Sequence, residues 1–246
     1  MQIGILGAGH IGKTLVQRLS AAGHDVKVAN SRGPETIAPD VLSSGGRAVT
    51  AAEAVSNVDA VILSIPLNRL PDVAPLLAGV PREVPVIDTS NYYPMRDGHI
   101  AEIDGGTIES VWVSERLGRP VIKAFNAVLA STFADGAQPS GTPGRIAIPV
   151  AGDDARAKAV AMALVDATGF DALDAGGLAE SWRLQPGTPA YCTDLTADEL
   201  RTALAAADRA RAPENREAVM RQITALGRTP TREDLVTRNR AVTAPR

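Results

Sequence analysis

Short apolar runs typical of buried strands alternate with helical patterns over residues 1–176 of the chain. The runs that predict strands are residues 2–6, 25–30, 47–50, 59–65, 84–88, 120–126, 145–150 and 170–173. Between them lie segments with helical spacing, of which the first, residues 11–22, places Leu15 and Leu19 on one face. Strands that are apolar throughout are covered on both faces. The alternation therefore predicts an α/β fold with a Rossmann-type, doubly wound, mostly parallel sheet.

The pattern changes after Gly176, where short helices and turn-rich loops replace the strands. Residues 178–184 predict a short helix, and a loop rich in glycine and proline follows it. Thr196 and Glu199 have the spacing of a capping box, which begins a further helix. Pro213 occupies a position suited to the first turn of another helix. We expect a small helical C-terminal region over residues 177–246.

Three glycines follow the first strand in the spacing GxGxxG, immediately before the first helix. Gly7 permits the tight turn, Gly9 lets a pyrophosphate approach the backbone, and Gly12 lets the helix pack close to the strand. The free N–H groups at His10, Ile11 and Gly12 then face an anion. The motif predicts dinucleotide binding, and it makes His10 a pyrophosphate contact rather than an acid or base.

The end of the second strand discriminates between the two nicotinamide cofactors. An Asp or Glu at this place binds the ribose 2′-hydroxyl of NAD(H), but this chain has Asn30, Ser31 and Arg32. A hydroxyl and a guanidinium would bind a 2′-phosphate, which a carboxylate would repel. Thr36 adds a hydroxyl from the next helix start, where Glu35 is favoured for dipole reasons alone. We therefore predict NADP(H), with an ordinary exposed loop arginine as the alternative for Arg32, and residues 1–176 as the NADP-binding Rossmann domain.

Further candidate site residues follow later strands, because ligands bind beyond the carboxyl ends of parallel strands. Ser64, Ile65 and Pro66 are expected near the nicotinamide ribose, although Pro66 could merely end its strand. Asn91 could bond a carboxamide or a substrate carbonyl, or be an ordinary turn residue. Asn126 lies at the carboxyl end of the sixth strand and is assigned to the cofactor and, with Asn91, to the substrate.

Four other side chains carry open alternatives. Lys123 could be a general acid, but a paired strand lysine is favoured, and Asp88 is expected to make a structural hydrogen bond. Trp182 and Tyr191 could border a planar acceptor, or pack in the core. No side chain is assigned a catalytic role, because hydride transfer between rings needs positioning more than proton chemistry.

Composition excludes several function classes. A formal net charge of −3 gives no case for nucleic acid or an anionic membrane, and no apolar run approaches the ~20 residues of a membrane span. Three histidines and one cysteine lack the spacing of a metal site. The single Cys192 fits a reducing compartment, and no signal peptide is visible, so we expect a cytoplasmic protein.

Three segments are similar to those of a known family: the glycine motif over residues 7–12, the Asn30–Ser31–Arg32 sequence, and the strand over residues 121–126, which is followed by a strand–Gly-Asp–helix unit. Together they resemble the NADP oxidoreductase family dependent on coenzyme F-420, a deazaflavin. The cytosolic reductase domain of transmembrane metalloreductases is similar. The resemblance covers roughly residues 1–176. It implies a homodimer, hydride transfer between stacked nicotinamide and deazaflavin rings, and residues matching Ser31 and Arg32 on the 2′-phosphate.

The sequence thus predicts an oxidoreductase that transfers hydride between NADPH and a deazaflavin or flavin-type acceptor, with F-420 as the possible co-substrate. Two alternatives stay open. One is an NADPH-dependent reductase of a small carbonyl or imine, and the other is a regulatory protein that binds NADP(H) without turnover.

Overall fold

The computed structural model describes residues 1–244. Its strands are β1 (Gln2–Leu6), β2 (Asp25–Ala29), β3 (Arg47–Ala48), β4 (Ala60–Leu63), β5 (Val86–Asp88), β6 (Ile122–Lys123), β7 (Ala147–Val150) and β8 (Asp171–Asp174). The first six form one parallel sheet in the order β3-β2-β1-β4-β5-β6. This order reverses between β1 and β4, and the carboxyl ends of all these strands lie at one edge. The Rossmann-type α/β fold is therefore confirmed.

The helices flank this sheet and extend beyond it. They are α1 (His10–Ala21), α2 (Ala51–Ala54), α3 (Leu70–Leu77), α4 (Pro94–Asp97), α5 (Ala101–Asp104), α6 (Glu109–Leu117), α7 (Ala130–Asp135), α8 (Ala155–Ala167), α9 (Ala197–Ala205), α10 (Ala212–Thr224) and α11 (Arg232–Thr243). Short 3₁₀ turns lie at Pro34–Thr36, Pro39–Leu42, Leu67–Arg69 and Leu178–Leu184. None of the helices within residues 1–244 has the length and apolar character needed to cross a membrane.

Two apolar cores cover the two faces of the sheet. On one face, Ile3, Ile5 and Ile62 pack with Leu15 of α1 and Leu164 of α8. On the other face, Leu6, Val61 and Leu63 pack with residues of α3 and α6, among them Leu70 and Trp112. Because successive residues of a strand point to opposite faces, an uninterrupted apolar strand supplies both cores.

The last two strands are not part of the six-stranded sheet. β7 and β8 pair in parallel with each other and form a separate two-stranded sheet. An antiparallel bridge between Lys123 and Ala151 joins it to the main sheet, with N···O distances of 2.8 and 3.0 Å. This bridge lies at the end of β6, whose neighbour Phe125 has a left-handed backbone, with φ of 61°. β6 is therefore much shorter than the predicted run of residues 120–126.

The C-terminal region is helical, as predicted, but its details differ. The segment Leu178–Leu184 is a 3₁₀ helix rather than an α-helix. α9 ends at Ala205, and the last helix, α11, extends over 12 residues. α10 and α11 pack against each other, and α9 packs on the β7–β8 sheet. The boundary predicted at residue 176 falls just after β8 and stays a prediction.

Candidate functional site

The glycine turn between β1 and α1 is built by three glycines with different constraints. Gly7 has a φ of 111°, and a Cβ on it would lie 2.1 Å from Ser64 O. A Cβ on Gly12 would lie 2.0 Å from Gly7 O. Packing of the chain itself therefore requires glycine at both positions. A Cβ on Gly9, in contrast, would meet no atom within 4 Å, so the space beside Gly9 is open to a ligand.

The start of α1 presents backbone donors to this open space. Lys13 is the first residue of α1 whose amide donates a helical hydrogen bond to a preceding carbonyl, that of Gly9, at 2.7 Å. The N–H groups of His10, Ile11 and Gly12 thus precede the helical hydrogen-bond pattern, and the first turn holds no acidic residue. Exposed donors at a helix N-terminus bind anions. The geometry therefore fits the pyrophosphate of a dinucleotide.

An open groove of about 470 Å³ extends from the glycine turn across the carboxyl ends of β1, β2 and β4. The groove brings together these predicted site residues: Gly7, Gly9, Asn30, Ser31, Ser64, Ile65 and Pro66. Ala51, Val73 and Leu76 add apolar surface to it. Arg69 and Asp72 also line the groove. Neither could be predicted from the sequence, because they belong to a turn and a helix without a recognisable motif.

A hydrogen-bonded loop follows β2 and exposes Ser31 and Arg32. Asn30 Oδ1 accepts a hydrogen bond from Arg32 N at 2.9 Å, and Asn30 Nδ2 donates to Thr36 Oγ1 at 2.9 Å. Thr36 Oγ1 in turn donates to Gly33 O at 2.8 Å. Asn30 and Thr36 therefore shape the loop that presents Ser31 and Arg32. Direct contact of any of these four side chains with a cofactor stays a prediction.

Two asparagines are paired where β5 and β6 end. Asn91 Nδ2 donates to Asn126 O at 2.9 Å, and Asn126 Nδ2 donates to Asn91 Oδ1 at 3.1 Å. Asn126 Nδ2 also donates to Leu184 O at 2.8 Å. Asn126 is 3% exposed, and its Oδ1 has no hydrogen-bond partner. Neither asparagine is among the residues that line the groove. The assignment of this pair to the nicotinamide or acceptor end of the site stays a prediction, supported by the unpartnered Asn126 Oδ1.

Lys123 is fully buried and paired with Asp88, whose carboxylate it contacts at 2.7 Å. Its Nζ also donates to Ser90 O at 2.5 Å, while Asp88 Oδ1 accepts from Ser90 N at 2.9 Å. The ion pair thus ties β5, β6 and the loop after β5 together. These contacts match the favoured expectations of a paired strand lysine and a structural Asp88, and they leave the general-acid alternative without support.

Glu109 at the start of α6 is a buried carboxyl that was not predicted from the sequence. Its Oε2 accepts from Tyr92 N at 3.0 Å, and its Oε1 accepts from Gln185 Nε2 at 3.1 Å. Burial raises the pKa of Glu109 from the usual 4.5 to about 7, against the lowering effect of nearby Lys123. An acid at a helix start is ordinary in sequence, so no local signal could have shown its burial.

The two aromatic candidates for the acceptor lie apart from the groove. Trp182 lines a small cavity of about 80 Å³ with residues such as Thr107 and Arg209, and the Arg183 guanidinium lies 4.3 Å from its ring centre. The Tyr191 hydroxyl is 3.0 Å from that of Tyr93, and burial raises the pKa of both phenols. Contact of Trp182 with an acceptor stays a prediction that this placement does not support.

Among residues 1–244, no cluster of three or more His, Cys, Asp or Glu side chains has the geometry to hold a metal ion. Cys192 is buried, and its burial raises the pKa of its thiol.

Comparison with known proteins connects this site to a family. A family model described as "NADP oxidoreductase coenzyme F420-dependent" matches residues 2–92, which include the glycine turn, the loop after β2 and Asn91. The Escherichia coli (strain K12) protein YjhV is 41% identical over 107 residues, which are 44% of this chain and 78% of that protein.

Solved structures are also similar to this chain. The hypothetical protein SMa0349 from Sinorhizobium meliloti superimposes with a TM-score of 0.67 at 30% identity, over 78% of this chain and 93% of that one. A "putative f420 dependent nadp-reductase" from Arthrobacter sp. FB24 superimposes with a TM-score of 0.58 at 20% identity, over 92% and 95% of the two chains, and shares the fold. The chain belongs to the family of NADP oxidoreductases that is described as dependent on coenzyme F420.

Proposed function

We propose that the protein transfers hydride between NADPH and a deazaflavin or flavin-type ring. The observation that carries the cofactor assignment is the groove in which the open space at Gly9 and the loop after β2 come together. Pyrophosphate would lie on the N–H groups of α1, and the 2′-phosphate beside Ser31 and Arg32, where no carboxylate follows the strand directly. The apolar side chains Ala51, Val73 and Leu76 suit an adenine ring.

The acceptor assignment rests on the family and on the asparagine pair. The family model and the Arthrobacter protein are both named for coenzyme F420, a deazaflavin. In an open α/β sheet the far end of the cofactor lies beyond the carboxyl ends of the strands, where Asn91 and Asn126 meet. Asn126 Oδ1 would accept a hydrogen bond from a carboxamide or ring N–H, and so hold the two rings in register.

Bound NADPH supplies the hydride, a proton with both bonding electrons, and a proton from water completes the reduced acceptor. The chain's own contribution is positioning, which suits a site whose lysine is locked in an ion pair. A carbonyl or imine reductase would gain from a protein acid next to the acceptor, and Lys123 does not provide one. We therefore rank that reaction behind transfer between rings. Turnover with any acceptor would exclude a regulatory role without turnover.

The test is to mix the purified protein with NADPH and oxidised deazaflavin coenzyme, and in parallel with free flavin. We expect loss of the acceptor's visible absorbance in step with NADPH consumption. A Gly9→Val variant, which should not bind the cofactor, is the matched control. Tight NADPH binding without turnover of either ring would contradict the acceptor assignment, and carbonyls and imines would be tested next.

Assembly and compartment belong to the same proposal. The family resemblance implies a homodimer, and the single cysteine fits a reducing compartment such as the cytoplasm. Light scattering on the purified protein would measure the oligomeric state directly.

A further inference from the structure

An arginine lines the groove beside the glycine turn, and it is not the Arg32 that the sequence predicts at the 2′-phosphate. Arg69 ends the 3₁₀ turn Leu67–Arg69 that follows β4, and it lines the groove together with Ser31. β2 and β4 are the two neighbours of β1, so Ser31 and Arg69 approach the groove from its two sides. Each wall thus offers a group that binds anions, a hydroxyl on one side and a guanidinium on the other.

Arg69 is held by an acidic neighbour that also lines the groove. Its guanidinium lies 2.9 Å from the carboxylate of Asp72, and the two side chains are 65% and 56% exposed. An ion pair that solvent reaches on both sides is screened and contributes little to stability. Arg69 is therefore free to exchange this partner for another anion at small cost.

We infer that Arg69 binds the 2′-phosphate of NADP(H), in exchange for Asp72, and so determines the cofactor preference together with Arg32. The inference rests on the proposed function, because it requires NADP(H) in the groove. The pyrophosphate already has the N–H groups of α1, whereas the 2′-phosphate lies at the end of β2, next to Ser31. A phosphate monoester carries more charge than a carboxylate and matches the planar fork of arginine.

Asp72 opposes this exchange. A carboxylate that lines the groove would repel a 2′-phosphate unless a cation neutralised it. Arg69 neutralises Asp72 in the free protein and the phosphate in the complex, so the exchange requires the phosphate to bind the guanidinium more strongly than the carboxylate of Asp72 does. The competing interpretation is that Arg69 stacks on the adenine ring, which NADPH and NADH share. The two interpretations therefore differ in whether Arg69 discriminates between the cofactors.

The experiment measures the dissociation constants of NADPH and NADH by calorimetry for the wild type and for Arg69→Ala, with Arg32→Ala as the comparison. We expect Arg69→Ala to weaken NADPH binding by about 10-fold or more, as for a lost charged hydrogen bond, and NADH binding by less than about 2-fold. Asp72→Asn removes the competing carboxylate, and we expect it to tighten NADPH binding by about 2- to 5-fold.

Arg47→Ala is the matched control. Arg47 forms the same kind of exposed pair, with Asp25 at 2.7 Å, but at the opposite edge of the sheet, where β2 and β3 begin. Its loss should leave both dissociation constants and the melting temperature unchanged.

The outcomes separate this inference from the proposed function. Equal weakening of both cofactors by Arg69→Ala would assign Arg69 to the adenine and overturn the inference. A preference for NADPH that is unchanged in Arg69→Ala would also overturn the inference. In both cases the proposed function would stand. A wild type that binds NADPH no better than NADH, or not at all, would overturn the cofactor assignment and the inference together.

Discussion

At the scale of single residues, the three glycines of one motif answer to different demands. Gly7 and Gly12 are glycines because the backbone around them leaves no space for a Cβ. A Cβ on Gly7 would lie 2.1 Å from Ser64 O, and a Cβ on Gly12 would lie 2.0 Å from Gly7 O. Gly9 has open space around its Cβ position and an ordinary φ of −73°. Nothing in the folded chain requires glycine at position 9, so its small size is best explained by a ligand.

This contrast gives a prediction for Gly9→Val. The variant should fold with an unchanged melting temperature, because the valine side chain projects into open space. It should lose NADPH affinity by about 100-fold or more, since the pyrophosphate would lose charged hydrogen bonds of about 1.5–3 kcal/mol each. Calorimetric titration and thermal unfolding measure the two effects. Gly12→Val is the control and should unfold the protein, whereas full NADPH affinity in Gly9→Val would refute the fingerprint assignment.

At the scale of elements, the buried pair of Lys123 and Asp88 joins β6 to β5. Both side chains are completely buried, and the pair bonds also to the backbone of Ser90. Removing one partner of such a pair leaves an uncompensated charge in the interior. The pair is therefore expected to hold the carboxyl edge of the sheet together rather than to move protons.

The corresponding prediction concerns Lys123→Met alone and combined with Asp88→Asn. The single substitution should lower the free energy of unfolding by about 3–5 kcal/mol, because Asp88 stays buried without its cation. The double substitution removes both charges, keeps an acceptor for Ser90 N, and should recover most of that loss in urea denaturation. Turnover should recover with it. A stable double variant without turnover would instead identify Lys123 as a catalytic acid.

The lengths of the elements show where sequence patterns reach their limit. The apolar runs of β1 and β4 predicted strands correctly, because a strand that is buried on both faces has apolar residues at consecutive positions. The run over residues 120–126 predicted a long strand, yet β6 contains only Ile122 and Lys123. Phe125 adopts a left-handed backbone that an aromatic residue rarely takes. Its ring packs 5.5 Å from that of Phe133, a tertiary contact that the local pattern does not contain.

At the scale of the whole molecule, some parts of the candidate site follow from local sequence patterns and others depend on tertiary contacts. The glycine turn and the loop after β2 could be predicted because each is contiguous in sequence. The contacts of Asn126 with Asn91 and Leu184 join positions 35 and 58 residues apart, and Glu109 meets Gln185 across 76 residues. Such pairs depend on how the chain closes on itself. The pairing of β7 with β8 in a separate sheet is of the same kind, because the strands were predictable and their partners were not.

Glu109 makes the stability of the whole molecule depend on pH, since it links α6 and the segment after β5 to the loop before α9. Burial raises its pKa from 4.5 to about 7. Between these values the folded protein holds a proton that the unfolded chain has released. The free energy of unfolding therefore falls as the pH rises through this interval, by about 3 kcal/mol in total. Below pH 4.5 both states are protonated, and the stability from this group is fully present.

Glu109→Gln tests this origin of the pH dependence. Glutamine keeps an acceptor for Tyr92 N and stays neutral at every pH, and the amide of Gln185 can rotate to pair with it. Urea denaturation at pH 5 and pH 8 should show that the wild type loses about 2–3 kcal/mol more than the variant over this range. Glu115→Gln, on the exposed side of the same helix, should retain the wild-type pH dependence. If Glu109→Gln loses as much stability as the wild type between these pH values, another group must carry the effect, and Glu109 must ionise freely in the folded protein.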